Sequence, residues 1–145
     1  MRGLALHHET IETRSRVEMI DITERVARLV RQRNLHEGMV VLYVPHTTAS
    51  ITINENADPD VKSDILKKLE RLVPQIEPYY DHAEGNSDAH VKAALVGNSG
   101  MVLVENGSLV LGRWQGIYFC EFDGPRERRL NIKLVSFRDE QPGST

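Results

Sequence analysis

Six consecutive apolar residues, Met39, Val40, Val41, Leu42, Tyr43 and Val44, lie between Gly38 and Pro45. A run this short and rich in β-branched residues reads as a strand, and one without polar alternation belongs in the middle of a sheet. Pro45, which has no N–H to give to a neighbouring strand, ends or bends it. The rest of the chain must then supply partners for both edges. Residues 50–53 alternate Ser, Ile, Thr, Ile, and residues 4–13 and 17–20 have strand character. Residues 101–105 and 108–111 flank Asn106-Gly107, the strongest short hairpin signal. Residues 116–122 and 129–137 read as two more strands, joined by Asp123-Gly124-Pro125-Arg126.

Three segments change to helical spacing. Asp21 reads as an N-cap with Glu24 three residues on, followed by Val26, Leu29 and Val30, with Gly38 beyond the end. Asp58 caps a second helix with Pro59 in its first turn and an apolar stripe of Val61, Ile65, Leu66 and Leu69 before Pro74. Ser87 reads as the N-cap of a third, with Asp88 in the first turn and Gly97 at its end. The expectation is one α+β domain over residues 1–145, a mostly antiparallel sheet system with about three helices.

A net charge of −3 argues against general nucleic-acid binding, and Arg126-Glu127-Arg128-Arg129 is one short basic cluster on an acidic chain. No apolar run approaches the length of a membrane span, and the first residues lack the apolar stretch of a signal peptide. Asn106-Gly107-Ser108 matches a glycosylation sequon and reads as a turn. The single cysteine, Cys120, excludes an intrachain disulfide and reads as a small buried hydrophobe within a strand. These features point to a reducing cytoplasm, with no nucleic acid and no membrane as partners.

Chemistry is concentrated in histidine. His46, His82 and His90 sit in polar segments rich in carboxylates, amides and hydroxyls, whereas His7, His8 and His36 lie in ordinary strand and helix-end contexts. Neutral imidazole is both a common metal ligand and a proton carrier near neutral pH, so the three point to a metal site, an acid/base site or both. The loop between His82 and His90 has no standard zinc spacing. It does contain Asn86-Ser87-Asp88 at a helix start, whose free N–H groups can hold an anion. His46 reads equally as a simple turn residue. Trp114 lies between Arg113 and Gln115, with Gly112 and Gly116 outside them, as at a tight bend or a close ligand approach. Arg126 follows a Gly-Pro turn, and arginine recognises phosphate or carboxylate bidentately. Glu121 and Asp123 alternate on a strand and share a face, so either can serve as a base or an ion-pair partner.

His46-Thr47-Thr48-Ala49-Ser50-Ile51, Asn54-Glu55, Asp81-His82, Asn86-Ser87-Asp88-Ala89-His90, Leu109-Val110-Leu111-Gly112-Arg113-Trp114-Gln115 and Glu121-Phe122-Asp123-Gly124-Pro125-Arg126, in this order, resemble the YjbQ family. The resemblance implies a compact α+β homotrimer with a histidine-lined site for a divalent metal, often zinc, whereas diphosphate chemistry by itself more often uses magnesium with oxygen ligands. It also implies a weak secondary thiamine-phosphate synthase activity. That reaction joins a pyrimidine methyl diphosphate to a thiazole phosphate and releases pyrophosphate. On the matched positions His46, His82 and His90 are the metal ligands, and Glu55, His82 and Arg126 the catalytic groups. Asn86, Ser87, Trp114, Gln115 and Arg126 contact the phosphorylated substrate. Arg113 stands where the family usually has Thr. Two other readings remain: a hydrolase using zinc-bound water with Glu55 or Glu121 as base, and a non-catalytic trimer that binds a metal or an anion.

Overall fold

The structure is a computed structural model that describes residues 1–138. The last seven positions of the expected domain, residues 139–145, lie outside the described residues. In chain order the elements are β1 (Arg2–Gly3), β2 (His7–Glu12), β3 (Glu18–Asp21), α1 (Thr23–Gln32), β4 (Gly38–Tyr43), β5 (Ala49–Glu55), α2 (Pro59–Leu72), α3 (Ser87–Val96), β6 (Ser99–Glu105), β7 (Ser108–Leu109), β8 (Gln115–Glu121) and β9 (Glu127–Ser136). Every pairing is antiparallel. One sheet runs β1-β9-β4-β6-β7, with β2 also on β9, and the other runs β3-β8-β5. This is the expected α+β domain with three helices.

The main core lies between the two sheets. Val40, Leu42, Val102, Leu130 and Ile132 come from the first, Ile51, Ile117 and Phe119 from the second, and Val26, Leu29 and Val30 of α1 complete it. On its other face the second sheet carries Met19, Tyr118, Cys120 and Phe122, packed against Ala89 and Ala93 of α3 and the half-buried Ile65, Leu66 and Leu69 of α2. The order of layers is therefore first sheet, second sheet, then α2 and α3, with α1 packed into the main core. The strand buried on both faces is β8, not the apolar run in β4. β4 is central by pairing, between β9 and β6, but only its Val40 and Leu42 side faces the core. Its other side, with Tyr43, stays in solvent beside Met101 and Leu103 of β6. Among the described residues, no helix is long and apolar enough to cross a membrane.

Several local signals act as read. Asp58 accepts a hydrogen bond from the Asp60 N–H at 2.9 Å, with Pro59 in the first turn of α2. Asn106 and Gly107 have φ of 51° and 76°, the left-handed pair that a tight hairpin turn requires. Gly97 ends α3 at φ 98°.

Others do not. Asp21 is not the N-cap of α1 but the last residue of β3, and its Oδ1 accepts from the N–H and hydroxyl of Thr23. The cap position falls to Ile22, which is 1% exposed, so packing of an apolar side chain outranks capping chemistry there. Glu24 accordingly pairs with Arg31 rather than closing a capping box. Ser87 is the first residue inside α3, and Asn86 takes the cap position with its side chain turned elsewhere. Residues 123–126 do not close a hairpin between β8 and β9. Those strands belong to different sheets, and the chain crosses between them at a cis Gly124–Pro125 bond. The change of sheet between β4 and β5 has the same consequence at the His46 turn.

Candidate functional site

The His46 turn and the Gly124–Pro125 turn, two of the crossings between the sheets, meet at one end of the molecule. The His46 turn leaves β4, enters β5 at Ala49, and is tied down from β9. The Arg129 N–H donates to His46 Nε2 at 2.9 Å. The buried Arg128 donates through Nη2 to the Thr48 carbonyl at 3.2 Å and to Thr48 Oγ1 at 2.8 Å. Arg128 also grips Glu121 with both Nε and Nη2. Glu121 further accepts from the Thr13 hydroxyl at 2.8 Å and the Asp123 N–H at 3.1 Å. Burial alone would raise the Glu121 carboxyl, but these hydrogen bonds, Arg128 first, outweigh it and hold the group below the usual carboxylate range. Glu121 is 0% exposed and saturated with donors, so it is not an available base. Asp123 does not share its face either, because the chain turns after β8. Its carboxylate accepts instead from Asn86 Nδ2 at 2.8 Å and from Arg126 Nη2 at 2.9 Å.

α3 is anchored beside this turn largely by charge. Asp88 and Lys92, both 0% exposed, pair at 3.0 Å one helical turn apart. Arg16 donates to Asp88 from the β2–β3 connection at 3.0 Å, and Glu70 of α2 takes Lys92 at 2.8 Å. Burial works to raise the Asp88 carboxyl, and Arg16 and Lys92 together bring it below its ordinary value. His90 lies between these two anchors on the helix. Its ring meets that of His82 edge to face, with centroids 5.5 Å apart. His82, Ser87, His90 and Tyr80 line one cleft, and His46, Thr47, His90 and Asn98 line a second, so His90 is common to both. Asn86 and Arg126 converge from the side on Asp123, and Asn86 Oδ1 is buried without a hydrogen-bond partner.

Glu55, Trp114 and Gln115 are elsewhere. Glu55 ends β5 opposite Gln115 of β8, and His46 precedes the other end of β5. Seven residues of strand place the two ends about 20 Å apart. Trp114 is 53% exposed there, with the Arg113 guanidinium 4.8 Å from its ring centroid. Gln115 Oε1 is taken up by the Gly112 N–H. In one chain, then, the matched residues fall into a histidine–anion group and a distant Glu–Trp–Gln group.

Whether the histidine group fits a metal turns on its donor chemistry. Zinc needs three or four protein ligands. His82 and His90 adjoin each other, but His46 already offers Nε2 to a backbone N–H. Among the described residues, no group of three His, Cys, Asp or Glu side chains is placed to hold a metal ion. The residues of a single chain do not fit a three-histidine metal centre.

Sequence reasoning passed over Arg128, Arg16 and Lys92. Two signals were available. Arg128 stands in phase with Leu130, Ile132 and Leu134, the inward side of β9, and Asp88 with Lys92 is an i,i+4 pair.

Two antiparallel sheets joined at a histidine-lined crossing and backed by helices define the class. A family model described as UPF0047 protein YjbQ-like matches residues 7–136, and the chain belongs to this family. Among its relatives, UPF0047 protein YugU of Bacillus subtilis is 53% identical over 125 residues, covering 86% of this chain and 95% of that protein. UPF0047 protein YjbQ of Salmonella typhimurium is 36% identical over 112 residues, covering 74% of this chain and 79% of that protein. The crystal structure of an uncharacterized YjbQ/UPF0047 family protein from Clostridium acetobutylicum superposes with a TM-score of 0.86 at 50% identity, covering 89% of this chain and 99% of that one. A protein of unknown function from Sulfolobus solfataricus gives 0.87 at 29% identity, covering 93% and 98%.

Proposed function

We propose that this protein is a cytoplasmic enzyme acting on a phosphorylated small molecule, with thiamine-phosphate synthesis as its activity. The observation that carries this reading is His90, which lines both clefts and so brings His46 and His82 to one surface beside the start of α3. The first N–H groups of that helix, the Ser87 hydroxyl and the N–H groups of Arg126 not held by Asp123 are donors suited to a phosphate or diphosphate. His82, half-exposed against Glu84, is the proton carrier. No step in this reading needs Glu121.

The reading includes a homotrimer. Glu55, Trp114 and Gln115 can act with the histidines only if a second copy brings them there. Tyr43, Met101 and Leu103, exposed at 46%, 56% and 48% on the open face of the first sheet, support self-association. A divalent metal, zinc or magnesium, enters only where a second copy completes the coordination, with His82 and His90 as this chain's share. A zinc hydrolase is the weaker alternative, since its remaining base, Glu55, lies at the far end of β5. A binding protein without turnover uses the same clefts.

The test is synthesis of thiamine phosphate from the two phosphorylated precursors by wild type and His90→Ala. A drop of about 10²–10⁴-fold in rate is the size expected for loss of a group that positions or transfers a proton. An unchanged rate removes His90 and this site. Binding of inorganic phosphate with no turnover of these or other phosphoesters favours the binding-protein reading. Light scattering on the same samples should give three times the chain mass, and a monomer refutes the shared site.

A further inference from the structure

His46 is set apart from the other two histidines by one hydrogen bond. The Arg129 backbone N–H can only donate, so the nitrogen it meets, Nε2, must carry a free lone pair. In a neutral ring the proton is then on Nδ1. Nδ1 has no hydrogen-bond partner among the described residues and is not among the buried polar atoms that lack one, so it keeps access to solvent on a residue that lines the cleft with Thr47, His90 and Asn98. A metal on Nδ1 would drive the proton to Nε2, where it would face the Arg129 N–H. A metal on Nε2 would need that N–H to leave. Protonation of the whole ring creates the same clash. Burial, then the nearby Arg128 guanidinium, also holds His46 below the usual histidine range. The turn has little freedom to relieve the conflict, since Arg128 clamps Thr48 from within the core.

We infer that His46 serves the cleft as a neutral imidazole with its proton on Nδ1, donating a hydrogen bond to an oxyanion of the ligand, and is not a metal ligand. This rests on the phosphate-site reading above and assigns His46 a role within it. The ligand group is one that accepts, a phosphate or carboxylate oxygen. Arg128 and Arg126 act on the His46 ring as nearby cations, with the Glu121 carboxylate opposing them.

The experiment is two-bond ¹H–¹⁵N correlation of histidine-labelled protein at neutral pH, with His46 assigned by its absence in His46→Gln. Inorganic phosphate and Zn²⁺ are then titrated separately. The Gln side chain can still accept from Arg129 while losing the Nδ1 donor, so that variant should fold as wild type. The expected result is a His46 ring protonated on Nδ1 alone, shifted by phosphate, with about tenfold weaker phosphate binding in His46→Gln, the worth of one hydrogen bond to a charged group. A proton on Nε2, or Zn²⁺ binding that shifts His46 and is lost in His46→Gln, overturns the inference. Phosphate that shifts His90 but not His46 overturns it and leaves the site reading standing. Phosphate that shifts neither ring brings down both.

Discussion

Arg128→Met costs about 3–5 kcal/mol in a urea unfolding experiment at pH 7, because it strands Glu121 as a buried charge with no cation. Arg128 and Glu121 are 3% and 0% exposed, and Met fills most of the volume while supplying none of the donors. The pH dependence separates this from a packing defect. In wild type the Glu121 pKa is depressed in the folded state, so its contribution is present above the ordinary value of 4.5 and is lost as pH falls through the folded value. In the variant the carboxyl keeps Thr13 and the Asp123 N–H but has lost its cation in a desolvated site, so its pKa should rise above the unfolded value and acid should protonate it and relieve the penalty. The gap between wild type and variant should therefore narrow from pH 7 to pH 4. A loss under about 1 kcal/mol at pH 7, or a gap independent of pH, would show that the pair contributes no net electrostatic stability. The double variant Glu121→Leu with Arg128→Met should recover much of the loss, as replacing both partners of a buried pair often does.

The second large effect is at α3. Asp88→Ala leaves Lys92 buried with only Glu70, and leaves Arg16 unpaired, for a cost again of about 3–5 kcal/mol. α3 has little else to hold it. Its apolar contacts are the buried Ala89 and Ala93 and the half-buried Val96, supplemented by the Ser50 hydroxyl on the Ala93 carbonyl at 3.1 Å and by Asn86 on Asp123 at 2.8 Å. Loss of Asp88 should thus release the helix from the second sheet before the rest unfolds. Amide hydrogen exchange over Ser87–Val96 should rise well above that of β8, and the edge contact of His90 with His82 should be lost. Uniform acceleration across the protein would mean that α3 does not open as its own unit. Lys92→Met in the Asp88→Ala background should restore part of the stability, since it removes a buried cation left with only the half-exposed Glu70 as partner.

The readable parts of the site were those whose chemistry is local. Asn86-Ser87-Asp88 at a helix start, and His82 and His90 around it, are close in sequence, and the structure keeps them close in space. Asp58 with Pro59 and Asn106-Gly107 are likewise complete within four residues. Asp21 and Ser87 failed as caps because the choice between neighbouring cap positions was made by contacts from other strands: Ile22 packs into the core, and Asn86 turns to Asp123. Glu121 failed as a base for the same reason, since Thr13 and Arg128, which occupy it, are remote in sequence or on another sheet.

By itself the sequence determined the strands and helices, the antiparallel α+β class, the family, and the segment that carries histidine and anion chemistry. Each of these depends on periodicity, turn chemistry or an ordered set of motifs, all written along the chain. Tertiary structure alone decided that the strands flanking the His46 turn and the Gly124–Pro125 turn part into different sheets. It also decided that Glu55, Trp114 and Gln115 lie where β5 ends and β8 begins, away from the His46 turn, and that His46 spends Nε2 on the backbone of β9. These outcomes depend on which strand edges pair and which charges are buried together. Such choices are made by backbone hydrogen bonds and desolvation between segments up to about a hundred residues apart, for which a local pattern holds no record.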